Sequence, residues 1–245
     1  MKNKKTIFNW SGGKDSAMAL YYLLNDSNYE IRYLLTSINQ DSQRISMHGV
    51  RKELLYEQAQ SIDIPLKELH LPKETSMKIY ENEMFSVMNN FTKERIEYAA
   101  FGDIFLEDLR KYREKQLEKV QMKALFPLWK KDTKQLIQDF MALGFKTIVT
   151  AVDGSKLDAS FAGRIIDKGF IADLPDDVDP CGENGEFHSF VFDGPIFKKP
   201  IDFTKGEIIK KEYTVGTCSD FEDKKEVIEK KKYTFWFCDL IPKKK

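Results

Sequence analysis

Between two apolar runs, residues 5–10 and 17–24, stand Ser11, Gly12, Gly13, Lys14, Asp15 and Ser16, residues whose types suit the holding of an anion. Two glycines let backbone N–H groups approach a ligand closely, two hydroxyls add donors, and Lys14 adds a cation where a helix N-terminus is itself positive. The spacing is not that of a Walker loop, nor of a dinucleotide fingerprint, whose third glycine is missing. A tight capped turn alone would need neither the lysine nor both serines. The second concentration of chemistry is CGENGEFHSFVFDGP at residues 181–195. There Glu183, Asn184, Gly185, Glu186 and His188 follow Gly182, and two glycines allow a path that brings two carboxylates near one another. Two acids in a glycine loop suit a cationic or amine partner; a polar turn between strands is the plainer alternative.

Two smaller groups join these. His48, Gly49 and Arg51 precede a segment with Leu54, Leu55, Gln58, Ala59 and Ile62 at helical spacing, so Arg51 would face a phosphate at that helix's N-terminal end, or else sit in solvent. Gly102 and Asp103 close an apolar strand. A carboxylate there would hold Mg²⁺ on a nucleotide, cap the next helix, or do both.

The elements that must position these residues alternate. Strands are expected at 5–10, 31–38, 66–71, 98–101 and 123–128, and helices at 17–24, 50–62, 76–91, 106–120 and 132–143, the last capped by Gly144. That order implies a doubly wound parallel α/β sheet. After 145–152 the pattern changes to an apolar run at 187–192 and late strands at 208–215 and 233–240, so a smaller α+β domain is expected over 131–245 behind a first domain of 1–130.

The 245 residues carry 39 Lys+Arg against 39 Asp+Glu, so no overall positive field draws the chain to nucleic acid or an anionic membrane. Cys181, Cys218 and Cys238 form no CxxC pair, which argues against a disulfide framework, a zinc ribbon or a dithiol centre. Cys181 reads as packing. No apolar run approaches the ~20 residues of a membrane span, and a cytoplasmic location is expected. Residues 243–245 read as a solvated tail, Trp129 as core, and the late strands with Trp236 would suit a homodimer contact as well as a core.

SGGKDS resembles, position by position, the PP-loop of the N-type ATP pyrophosphatases. Four further segments, MHGVRKELLYEQAQSIDIPL, FGDIFLEDLRKYRE, FPLW and the 181–195 loop, resemble the diphthine–ammonia ligase family. This implies an adenine nucleotide alpha hydrolase-like fold that uses ATP and Mg²⁺. A substrate carboxylate would be activated as an acyl-adenylate with loss of pyrophosphate, and free ammonium would supply the nitrogen, since no glutaminase segment is visible. The acceptor would be diphthine on a translation elongation factor. By the same resemblance ATP binding falls to residues 11–16 with Ser37, His48, Gly102 and Asp103, and metal binding to Asp15 and Asp103. Catalysis falls to Lys14, Asp15, Glu183 and Glu186, and substrate binding to Arg51, Glu183, Asn184, Gly185, Glu186 and His188. Phe187 or Phe190 would offer a cation–π face. A related enzyme with a small-molecule acceptor and a non-catalytic nucleotide sensor remain alternatives.

Overall fold

The structure is a computed structural model describing residues 3–41, 44–45, 49–72, 76–218 and 227–243, without the side chains of 214–218 and 227–231. His48 lies outside the described residues.

The first sheet is built from β1 (Lys4–Asn9), β2 (Tyr29–Asn39), β3 (Arg44–Ile45), β4 (Leu66–Leu71), β5 (Tyr98–Ala100) and β6 (Lys123–Leu125). β4, β2, β1, β5 and β6 run parallel in that order, and the two-residue β3 pairs antiparallel with the end of β2. The chain thus winds outward from β1 through β2 to β4, then restarts at β5 on the other side. The change of direction falls between β1 and β5, where the loops after the two strands diverge and leave a crevice.

Helices cover both faces, as the alternation requires. α1 (Lys14–Leu24) and α2 (Lys52–Ile62) pack on one face, and α3 (Met77–Lys93) and α4 (Glu107–Glu118) on the other. In α2 the expected stripe is buried, with Leu54, Leu55 and Gln58 fully enclosed; each leucine contributes roughly 1.5–3 kcal/mol by leaving water. α3 begins at Ser76, whose hydroxyl accepts from Ile79 N, and α5 (Thr133–Ala142) begins at Asp132, whose carboxylate accepts from Gln135 N. Gly144 follows α5 with φ +84°, the left-handed conformation that ends a helix.

The second sheet comprises β7 (Lys146–Asp153), β8 (Phe187–Asp193), β9 (Phe203–Cys218) and β10 (Val227–Pro242), all antiparallel in the order β8-β7-β10-β9. A 3₁₀ turn, Ala159–Phe161, and α6 (Lys168–Ala172) fill the connection between β7 and β8. The fifth expected strand is shorter than read, because Pro127 to Lys130 turn away. Trp129 is half-buried, not core, and its ring lies under the Arg110 guanidinium at 4.6 Å. One apolar core runs from α1 and α2 through α5 into β7 and β8, so the two sheets share packing.

Candidate functional site

The PP-loop residues occupy the turn from β1 into α1, at the crevice. Gly12 adopts φ +78°, and a Cβ there would meet Gln58 Oε1 at 2.8 Å and Leu55 Cδ2 at 2.9 Å, so glycine is required on both counts. Ser11 Oγ donates to Ser16 Oγ at 3.0 Å, and Ser16 Oγ donates to Gly13 O at 2.9 Å. The next wall is equally close. A Cβ on Gly102 would meet Ser16 N at 2.9 Å, so the end of β5 lies directly against the start of α1. Asn9 Nδ2 donates to Ala100 O at 3.2 Å and fixes the two strand ends together.

Lys14 is 3% exposed. Its ammonium donates to both Asp15 carboxylate oxygens at 2.7 Å and lies 5.5 Å from the Phe187 ring centre. Burial works against the charge, but the neighbouring Asp15 carboxylate, with Glu183 further off, more than offsets it and Lys14 stays above its ordinary pKa. Asp103 pairs with Arg113. Arg113 Nη2 donates to Asp103 Oδ1 at 3.2 Å, while the shorter Nε–Oδ2 approach of 2.7 Å is off-axis for a hydrogen bond and acts through charge.

The 181–195 segment supplies the opposite wall. Glu183 Oε1 accepts from Ile104 N at 2.7 Å and Phe105 N at 3.4 Å, which seats the loop on the residues after β5. Burial pushes the Glu183 carboxyl up to about 7; the Ile104 N–H and Lys14 pull it down, and Asp15 and Asp103 push it further up. Glu186 points elsewhere. Its Oε1 accepts from Asp179 N at 3.1 Å and Asn184 Nδ2 at 3.0 Å, while Asp179 Oδ1 accepts from Cys181 N at 2.8 Å. The two acids expected side by side therefore divide: Glu183 faces the crevice, and Glu186 with Asn184 braces the loop from within. Gly185 takes φ +88° at the loop's tip.

The structure corrects two other expectations. Arg51 does not stand free for a phosphate. Its fork takes Asp239 of β10, Nη2–Oδ2 at 2.7 Å and Nε–Oδ1 at 3.1 Å, and Arg44 Nη1 joins the same carboxylate at 2.9 Å. Phe190 is fully buried and Phe187 nearly so, with its ring already facing Lys14, so neither offers an open face to a cation. His188 stands half-buried in β8, opposite Ala151, and its carbonyl accepts from Thr150 Oγ1 at 3.3 Å. Ser37 lies half-buried in β2 beside Leu69 of β4. Cys181 is packing, as read: it is buried, burial pushes its thiol up, and Sγ lies 3.4 Å from Thr133 O.

Sequence reasoning missed the residues that hold the loop still. Gln58, fully buried, donates from Nε2 to Gly12 O at 3.1 Å and to Val191 O at 2.6 Å, while its Oε1 accepts from Trp10 Nε1 at 2.9 Å. Val191 N donates to the same Gly12 carbonyl at 2.9 Å, and Lys14 N donates to Ser189 Oγ at 3.2 Å. β8 thus buttresses the PP-loop, which is why an apolar strand follows the acidic loop so abruptly. The available signal was Gln58 itself, an amide at an apolar position of an amphipathic helix, which must find partners once buried.

Lys14, Asp15, Asp103, Arg113 and Glu183 place three carboxylates against two cations. Among the described residues no three Asp, Glu, His or Cys form a metal cage. That donor set fits Mg²⁺, which takes one or two carboxylates and completes its shell with phosphate oxygens and water; Asp15 and Asp103 are the residues that would hold it.

The chain is similar to known proteins along most of its length. The diphthamide synthase N-terminal domain family matches residues 4–124, and the diphthamide synthase C-terminal domain family residues 132–227. A diphthine–ammonia ligase of Schizosaccharomyces pombe is 29% identical over 119 residues, covering 47% of this chain and 20% of that protein. Those of Bos taurus and Homo sapiens are each 27% identical, over 48% of this chain and 46% of theirs. The chain therefore matches less than half the length of these curated relatives. A solved U34-tRNA thiolase NcsA from Methanococcus maripaludis with its [4Fe-4S] cluster aligns at TM-score 0.35, with 17% identity over 58% of each chain. With matches to both domain families in order along one chain, this protein belongs to the diphthamide synthase family.

Proposed function

We propose that this chain is an ATP-dependent, AMP-forming amide ligase whose acceptor is diphthine on a translation elongation factor, and that it works in the cytoplasm where that factor is met. The observation that carries the reading is the seating of Glu183 on Ile104, which sets an acidic loop of the second domain beside Lys14 of the PP-loop. Among the described residues no helix is long and apolar enough to cross a membrane.

The substrate carboxylate attacks the α-phosphorus of ATP, the bond to the β-phosphate oxygen breaks, and pyrophosphate leaves. Lys14 and the loop N–H groups stabilise the charge developing on pyrophosphate, and Asp15 holds the ammonium in place. Ammonia then attacks the acyl carbon and AMP departs with the bonding pair. Glu183, poised near neutrality, takes the proton from the incoming ammonium. A bound Mg²⁺ would add charge neutralisation on the phosphates. Glu186 and Asn184 keep Glu183's loop in register.

Labelled ATP with Mg²⁺ and ammonium, with and without an elongation factor carrying diphthine, tests the reading. AMP and pyrophosphate formed only with the factor support it. AMP formed without that dependence moves the acceptor to a small molecule, and tight ATP binding without AMP leaves a nucleotide sensor.

A further inference from the structure

We propose that the cleft between α3 and α4 is a binding site for an uncharged, planar heteroaromatic molecule, separate from the crevice at the PP-loop. The cleft lies on the sheet face opposite α1 and α2 and encloses about 450 Å³, counting its open mouth. Small-molecule sites span about 300–1,000 Å³. Its floor is apolar, with Met88, Phe101 and Leu117 all buried. Its rim is made by Glu81 and Phe85 of α3 and by Tyr112 and Gln116 of α4, and Gln116 Nε2 donates to Glu81 Oε1 at 2.8 Å, tying the two helices together.

Two donors line this apolar space without a partner. The Arg113 guanidinium sits over the Phe101 ring at 4.3 Å, with Nη2 and Nε turned to Asp103, and Nη1 has no hydrogen-bond partner among the described residues. The Tyr80 hydroxyl has none either. Burial raises its pKa, so it keeps its proton and can donate.

Charge and hydrogen bonding select the occupant. Asp103 already matches Arg113, and Glu81 adds a negative charge at the rim, so an anion would meet net repulsion. A cation would meet Arg113. A plain hydrocarbon would cover the two donors and leave them unpaired, which is costly. A neutral heteroaromatic ring avoids all three penalties. Its faces pack among the Phe85 and Tyr112 rings and the Met84 and Met88 thioethers. A ring acceptor takes a hydrogen bond from Arg113 Nη1 or the Tyr80 hydroxyl, and a ring N–H gives one to the Glu81 carboxylate, which has lone pairs beyond the one Gln116 uses. None of this draws on the chemistry proposed for the PP-loop.

Benzimidazole, neutral at pH 7.5 and carrying one ring acceptor and one N–H, is the probe. Ligand-observed NMR titration of the full chain should give a Kd of about 1 mM or tighter, unchanged by ATP. Tyr80→Phe deletes one donor and should weaken binding by about three- to tenfold. Met84→Trp fills the cleft and should abolish it, with circular dichroism checking that each variant folds. Benzimidazole-5-carboxylate, the same ring with a negative charge, should bind more weakly than benzimidazole. No binding by the parent chain, displacement by ATP, a Kd that Tyr80→Phe or a folded Met84→Trp leaves unchanged, or a carboxylate that binds as tightly as the neutral ring would each overturn the proposal.

Discussion

Replacing Gln58 by leucine keeps an apolar side chain of similar reach on α2 but deletes three hydrogen bonds at once. Trp10 Nε1, in a residue 2% exposed, loses its partner, and the carbonyl of the fully buried Val191 loses a 2.6 Å donor. Gly12 O keeps one of its two donors, from Val191 N. At about 1–3 kcal/mol for each buried group left without a partner, the two losses destabilise the fold by about 2–6 kcal/mol. The loop also loses half of what fixes its carbonyl, so ATP affinity should fall by about five- to tenfold, the equivalent of roughly 1 kcal/mol of lost preorganisation. Urea unfolding reads the first quantity through a lowered midpoint at unchanged slope, and calorimetric titration with ATP reads the second. Gln58→Glu distinguishes hydrogen bonding from packing: its carboxylate meets two carbonyl oxygens at neutral pH, but on acidification it regains a donor and should recover stability. A Gln58→Leu midpoint equivalent to less than about 0.5 kcal/mol of loss, with unchanged ATP affinity, would refute the reasoning.

Lys14→Met should abolish AMP formation and also lower the urea midpoint, because it leaves the Asp15 carboxylate without the ammonium that meets both its oxygens at 2.7 Å; full turnover in this variant would remove the role assigned to it. The ammonia-dependent step should rise with pH through about 7, where Glu183 ionises, and Glu183→Gln should erase that limb in a pH–rate profile. The same raised pKa means ionised Glu183 opposes folding: its contribution is intact below the ordinary carboxylate range and lost as pH rises through about 7, so Glu183→Gln should also melt higher than the parent at pH 8. Asp239 behaves oppositely, since Arg51 and Arg44 hold it down at about 2. Its stabilising contribution is present above about pH 4 and lost on acidification toward 2, so Asp239→Asn should cost roughly 1–2 kcal/mol at neutral pH after allowing for partial exposure, a difference that vanishes near pH 2. Denaturant midpoints across pH check both.

The PP-loop and the alternating elements were legible because their information is local. A glycine pair between a strand and a helix, and the stripe Leu54, Leu55, Ala59, Ile62, announce themselves within a dozen residues. β3 was not, because two residues carry no period. Arg51 was misassigned for a different reason. A guanidinium at a helix start suits phosphate and carboxylate alike, and its actual partner, Asp239, lies 188 positions away. The division of labour between Glu183 and Glu186 likewise depended on which backbone N–H groups each carboxylate met, Ile104 for one and Asp179 for the other. No spacing rule within GENGEF encodes that.

The bond from Val191 to Gly12 has a thermodynamic corollary. Because a strand of the second sheet holds the loop that follows β1 of the first, grip on a nucleotide at that loop and the seating of β8 against it are linked functions, and linkage is reciprocal. Whatever favours ATP at the loop must favour closure of β8 onto it by the same factor, and whatever loosens β8 must loosen the nucleotide equally. An acceptor bound beside Glu183 would draw on that same equilibrium, so its arrival is felt at the phosphates without any residue in common.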